Sequence, residues 1–204
     1  MTNKMLSKTL RQLIDQLTRW PGVGSRTAAR YALYLTHLDP TEREILIQSI
    51  ENLKNLRLCE FCFYPFDAQN QEVLCPICRD LNRKNKTICV VEKETDLNAI
   101  EETNDYRGRY LIIGPAGLWF DDDRFKSRLK KLIDHLKKES IEEVILAVNP
   151  TAEGMALVDY LRKAIRAKYP EIKITTPRQG LPRGAELEYA DPETLKSALR
   201  ERSD

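Results

Sequence analysis

Four cysteines fall into two Cys-x2-Cys pairs, Cys59 with Cys62 and Cys75 with Cys78, with 12 residues between the pairs. A turn of this spacing aims two thiolates at one point, and two such turns make a tetrahedral site of four sulfurs. Zn²⁺ accepts that geometry with no vacant position, so the ion expected here is structural. An iron–sulfur cluster or a redox dithiol are the alternatives. Four thiolates and Zn²⁺ sum to a charge of −2, and Arg57, Arg79, Arg83, Lys84 and Lys86 are close enough in sequence to offset it. The fifth cysteine, Cys89, lies in an apolar run and reads as a core thiol. An odd cysteine count, with four paired by spacing, fits metal binding in a reducing compartment better than a disulfide framework. His37 and His135 have no ligand-like spacing and are expected on helix surfaces.

The second chemical feature is Pro21-Gly22-Val23-Gly24. Glycines let backbone N–H groups turn outward, and a following helix adds its positive N-terminal end. A helix-hairpin-helix is built this way and holds nucleic-acid phosphate by main-chain donors instead of reading bases. Arg26 and Arg30 are four apart and share one helix face just past the hairpin. The bland alternative is a tight helix–helix turn with solvated arginines. Charge favours phosphate contact: residues 1–37 hold six basic groups and one acid, whereas residues 38–55 hold two basic groups and four acids. Gly22, Val23, Gly24, Arg26 and Arg30 are therefore the expected DNA contacts.

The third feature is acidic. Glu92 closes an apolar run, Asp96 follows it, and Glu153 sits in Asn149-Pro150-Thr151-Ala152-Glu153-Gly154 after a later run. In open parallel sheets, functional groups collect at the carboxyl ends of strands. Asp121-Asp122-Asp123 precedes a helical pattern and reads as a helix N-cap, because acids are favoured in a first turn.

The elements that must position these groups differ along the chain. Leu6, Leu10, Leu13, Ile14 and Leu17 recur at helical spacing; a second helix is expected over about Ser25–His37 with Ala28, Ala32 and Leu35 on one face. Thr41-Glu42-Arg43-Glu44 resembles a capping box opening a third helix, with Leu46, Ile50 and Leu53 inward. From Thr87 onward, four short apolar runs (Ile88–Val91, Tyr110–Ile113, Val144–Val148 and Ile172–Ile174) alternate with amphipathic stripes. One stripe comprises Phe125, Leu129, Leu132, Ile133 and Leu136; the other comprises Leu157, Val158, Leu161 and Ile165. Alternation of this kind predicts an α/β unit with a mainly parallel sheet.

Composition bounds the rest. The 204 residues carry a net charge of +2, so bulk charge does not announce a nucleic-acid binder. No apolar run approaches the ~20 residues of a membrane helix. The N-terminus lacks an apolar signal core, so a cytoplasmic location is expected.

A strand ending in Glu, followed by a later strand running into Asp-x-Asp-x-x-Gly, is similar to the Toprim module of topoisomerases and primases, whose acids hold Mg²⁺. Here Asn149 and Thr151 stand where the two aspartates would be, and neutral oxygens cannot replace carboxylates for that hard ion. The order PGVG, paired CxxC, ICVVE, NPTAEG and GLPRGAELEYADPETLKSALRER closely resembles the RecR family over nearly the whole chain. The resemblance implies a multidomain α and α/β chain: 1–55 a helix-hairpin-helix DNA-binding domain, 56–86 a four-cysteine zinc finger, 87–176 a Toprim domain and 177–204 a C-terminal segment. It implies a non-enzymatic bacterial recombination mediator with no catalytic residues. Such a mediator forms a ring-like homotetramer around DNA, works with RecO and RecF, and loads RecA on gapped DNA, near the nucleoid. It carries over Arg26 and Arg30 as DNA contacts and Glu92, Asp96 and Glu153 as acids that meet RecO. Two departures stand out: the connection Phe63–Leu74 is longer than usual, and Met155 replaces a second glutamate. The competing reading is a Mg²⁺-dependent Toprim phosphotransferase or nuclease, against which the missing Asp-x-Asp argues. A zinc-ribbon protein binding only other proteins is disfavoured by the basic hairpin.

Overall fold

The computed structural model describes residues 6–83, 86–115, 122–178, 180, 181, 184 and 186–200. The chain divides into two compact units, Met1–Leu56 and Arg57–Asp204.

The first unit is helical. α1 (Lys8–Leu17) starts at Ser7, whose hydroxyl accepts from the Leu10 N–H at 3.2 Å. α2 (Ser25–His37) packs on it through Ala28 and Ala32. Leu17 joins them in the small core, flanked by Leu10, Leu13, Ile14 and Val23. α3 (Pro40–Asn52) departs from expectation twice. Its cap is Asp39, which accepts from the Thr41 and Glu42 N–H groups at 2.6 and 3.0 Å, with Pro40 at the first helical position. No capping box at Thr41 is needed. Leu46, Ile50 and Leu53 also do not face inward: they are exposed, as are Ile45 and Ile47, and α3 buries no residue.

A two-stranded ribbon, β1 (Leu56–Leu58) and β2 (Pro65–Asp67), starts at the last residue of the first unit and leads into the second, followed by a one-turn helix α4 (Pro76–Arg79). A parallel sheet follows: β3 (Thr87–Val91), α5 (Glu94–Glu102), β4 (Arg109–Ile112), α6 (Asp123–Lys138), β5 (Glu143–Ala147), α7 (Ala152–Arg166) and β6 (Lys173–Thr175). Strand order is β4-β3-β5-β6, with every pairing parallel. Both faces are covered, which explains the unbroken apolar runs. Ile88 and Val90 point into the core with Leu132, Leu136, Leu157 and Leu161, while Cys89 and Val91 face Leu97. The chain returns from β4 to the opposite side of β3, so the carboxyl ends of β3 and β5 form the topological switch point where open sheets hold ligands. α8 (Pro192–Arg200) closes the described chain.

Candidate functional site

The hairpin of the first unit is a type II turn. The Trp20 carbonyl accepts from the Val23 N–H at 3.1 Å, Pro21 presets the first corner, and Gly22 supplies φ +75° at the second. Gly24 is the N-cap of α2 and offers no side chain to its first turn, which also holds no acid. Those main-chain donors and the positive helix end suit an anion. Arg26 and Arg30 follow, both exposed.

In the second unit the four cysteines converge. Their sulfurs all lie within 4.8 Å of one another and are buried. Cys62 and Cys75 Sγ are 3.6 Å apart. A tetrahedron with metal–sulfur bonds of about 2.3 Å needs sulfur separations near 3.8 Å. The Tyr64 and Cys75 N–H groups donate to Cys62 and Cys59 Sγ, each at 3.4 Å, which favours thiolate. The cluster is thus positioned to bind a metal ion. Bonds from its neighbours, Cys62 first, hold the Cys59 thiol well below its ordinary value. Three of the five basic residues expected to offset the cluster are engaged with acids instead. Arg79 pairs with Glu72, Arg83 with Glu101 and Lys86 with Glu142, and Lys84 lies outside the described residues.

The knuckle is fastened to the sheet by residues its spacing does not reveal. The Cys62 carbonyl accepts from the Ile112 N–H at 3.0 Å. Phe61 stacks on His135 with centroids 3.8 Å apart, and the Arg109 guanidinium lies 4.7 Å from the Phe61 ring. Arg109 is held by two 3.1 Å bonds to Glu139. Arg128 lies over Phe63 at 5.0 Å. His135 is therefore not a surface residue: it is buried, and burial pushes its pKa down to about 4. Cys89 is the expected core thiol, pushed up to about 12 by burial.

The acids at the switch point are not gathered as a metal site. Among the described residues the four cysteines are the only group of three or more potential ligands close enough to share an ion. Glu92 is 7% exposed, and its Oε1 accepts from the Asn149 backbone N–H at 2.7 Å and from Asn149 Nδ2 at 3.0 Å. Asn149 therefore closes the space as a donor. Thr151, the other replaced aspartate, caps α7: its hydroxyl accepts from the Gly154 N–H at 3.1 Å. A Cβ on Gly154 would run into the Asn149 carbonyl oxygen, so the Asn-Pro-Thr-Ala-Glu-Gly turn closes only around glycine. A cleft of about 220 Å³ beside Glu92 is lined by Glu92, Glu94 and Asp122 but also by Lys93, Arg124 and Arg128. Three cations among three anions, and an amide spent on Glu92, do not fit Mg²⁺.

The three acids thus differ in kind. Glu92 is buried and bonded, so it does not offer the free carboxylate expected for a basic partner. Asp96 is half-buried; burial raises its pKa, and its Oδ2 has no hydrogen-bond partner among the described residues. Glu153 is exposed in the first turn of α7. Asp122 caps α6 by accepting from the Arg124 N–H at 2.8 Å, as expected; Asp121 lies outside the described residues.

Among the described residues no helix is long and apolar enough to cross a membrane. A hairpin between two helices, a four-cysteine knuckle and a parallel sheet with its acid at the switch point define a multidomain protein of the helix-hairpin-helix and Toprim type. Residues 10–54 match the family model for the RecR helix-hairpin-helix, residues 86–176 that for the Toprim domain, and residues 180–203 that for the RecR C-terminal region. The chain is 38% identical to the recombination protein RecR of Chloroflexus aggregans, covering 97% of this chain and 95% of that protein. It is 38% identical to that of Rippkaea orientalis, over 97% and 98% respectively. The RecR protein of Streptomyces coelicolor is also 38% identical, over the same shares. The chain belongs to the RecR family.

Proposed function

We propose that the chain is a sequence-independent DNA-binding recombination mediator without catalytic activity of its own. The observation that carries this reading is the Trp20–Val23 turn, with its uncapped helix start followed by exposed Arg26 and Arg30. Such a surface grips phosphate and reads no base. The relatives' name, recombination protein RecR, supports the process served. Absence of catalysis is supported by Asn149 and Thr151, which bond to Glu92 and cap α7 in place of two acids.

The four cysteines hold one structural Zn²⁺ in this reading, which stabilises a knuckle, residues 56–86, too small to have a core of its own. The exposed Ile45, Ile47, Ile50 and Leu53 support self-assembly into the family's ring-like tetramer. Several hairpins on one ring reinforce each other's weak contacts. RecO and RecF are the partners the family resemblance implies. Glu153 is the acid best exposed to meet a basic partner, and Glu92 contributes by holding Asn149.

The test is binding of random-sequence DNA at several salt concentrations. Arg26→Ala/Arg30→Ala removes two charge contacts per subunit and nearly abolishes binding while native mass is unchanged. Its log–log salt slope becomes shallower, because fewer counterions are released. Wild-type affinity and slope in the double variant would mean that the hairpin is only a turn.

A further inference from the structure

The first unit leaves three aromatic side chains exposed, Trp20, Tyr31 and Tyr34, of which Trp20 and Tyr34 are the most open. Trp20 is 54% exposed and Tyr34 is 64% exposed. The buried cluster of this unit is Leu17, Ala28 and Ala32, flanked by the partly buried Leu10, Leu13, Ile14 and Val23. Trp20 sits on a fixed backbone: its N–H donates to the Leu17 carbonyl at 3.1 Å, and its carbonyl accepts from Val23 at 3.1 Å. An aromatic on a rigid corner loses little freedom when it is covered. On α2, Arg26, Arg30 and Tyr34 are spaced by four, a step of about 6 Å along one side of the helix. Exposed Arg19 neighbours Trp20. Aromatics thus stand at the turn and beyond the two arginines, in a region with six basic groups and one acid over residues 1–37.

The charge selects an anionic occupant, and the rings select one that offers flat apolar faces. Duplex DNA offers phosphates but keeps its base faces in the stack. An unpaired strand offers both, and base–aromatic stacking beside arginines holds such strands without regard to sequence. We propose that Trp20 and Tyr34, with Arg26 and Arg30, form a stacking track that makes this surface selective for single-stranded over duplex DNA. The proposal rests on the reading of the hairpin as the DNA surface and adds the form of DNA it takes.

The chain has two tryptophans, Trp20 and Trp119. In full-length protein carrying Trp119→Phe, emission comes from Trp20 alone. Titration with a random-sequence single-stranded oligonucleotide quenches that emission, and the matching blunt duplex leaves it nearly unchanged. Trp20→Ala weakens single-strand binding about tenfold and duplex binding less than twofold. Tyr34→Ala acts in the same direction, and Trp20→Phe retains most of the single-strand affinity. The salt slope stays at the wild-type value in all three, because no phosphate contact is lost. Equal losses on both DNA forms, or no loss on the single strand, overturn the stacking track. A change in native mass in Trp20→Ala or Tyr34→Ala assigns the rings to self-assembly and overturns it as well. The Arg26→Ala/Arg30→Ala protein separates the two ideas. If it loses binding while Trp20→Ala does not, only the stacking fails; if it binds like wild type, the DNA surface itself lies elsewhere.

Discussion

Replacing Asn149 by aspartate restores the residue type found at this position in metal-binding Toprim sites, and the structure sets the consequence. Asn149 Nδ2 lies 3.0 Å from the buried Glu92 Oε1. A carboxylate oxygen in its place loses a hydrogen bond to a charged group, about 1.5–3 kcal/mol. It also sets two anions at a separation where the Coulomb energy is about 5 kcal/mol at an effective dielectric of 20. Asn149 is exposed, so the new carboxylate swings partly into water and keeps less than half of that repulsion. Asn149→Ala loses the bond without gaining the charge. The aspartate variant is therefore expected to be less stable than the alanine variant by about 2 kcal/mol. For a unit of roughly 150 residues that is a Tm lower by about 4–8 °C. Thermal unfolding of wild type, Asn149→Ala and Asn149→Asp, each with and without millimolar Mg²⁺, measures it. Mg²⁺ should raise the Tm of the aspartate variant alone, since a ligand stabilises only the protein that binds it. Equal stability of the two variants without Mg²⁺, or a wild-type gain from Mg²⁺ as large as the variant's, would refute the reading of Asn149 as a donor that closes the site.

Three further outcomes are expected. Cys59→Ser or Cys75→Ser should leave zinc-poor protein with a lower melting point, checked by metal analysis and calorimetry, because structural zinc binding of about 10–16 kcal/mol is folding energy for a knuckle of this kind. Phe61→Ala should cost about 3–5 kcal/mol, since it empties a buried ring site between His135 and Arg109, yet leave zinc content unchanged; denaturant unfolding with metal analysis separates the two. His135 should make the protein less stable as pH falls from about 6.5 to about 4. In that window the unfolded imidazole takes up a proton that the buried one, beside Glu139, Arg109 and Lys131, refuses. His135→Phe should flatten the curve measured by urea unfolding across that range.

Much of this protein is legible in its residues because the determining physics is local. The cysteine spacing alone implies four converging sulfurs, since each Cys-x2-Cys turn fixes its own geometry. Pro21-Gly22 dictates a type II turn, because only glycine reaches φ +75° there without cost. Unbroken apolar runs imply strands buried on both faces. Where long-range contacts decide, the sequence misleads. Leu46, Ile50 and Leu53 look like an inward stripe, yet they are exposed, because burial depends on what lies opposite and not on spacing. His135 looks like a surface residue, but Phe61 covers it from 74 positions away in the chain. Asn149 reads as a missing acid. That its amide instead bonds to Glu92, 57 residues earlier, follows from β3 and β5 lying side by side, and only the strand order decides that. Side-chain chemistry and spacing set what each residue can do; the parallel sheet brings its partners within hydrogen-bonding distance and so selects what it does.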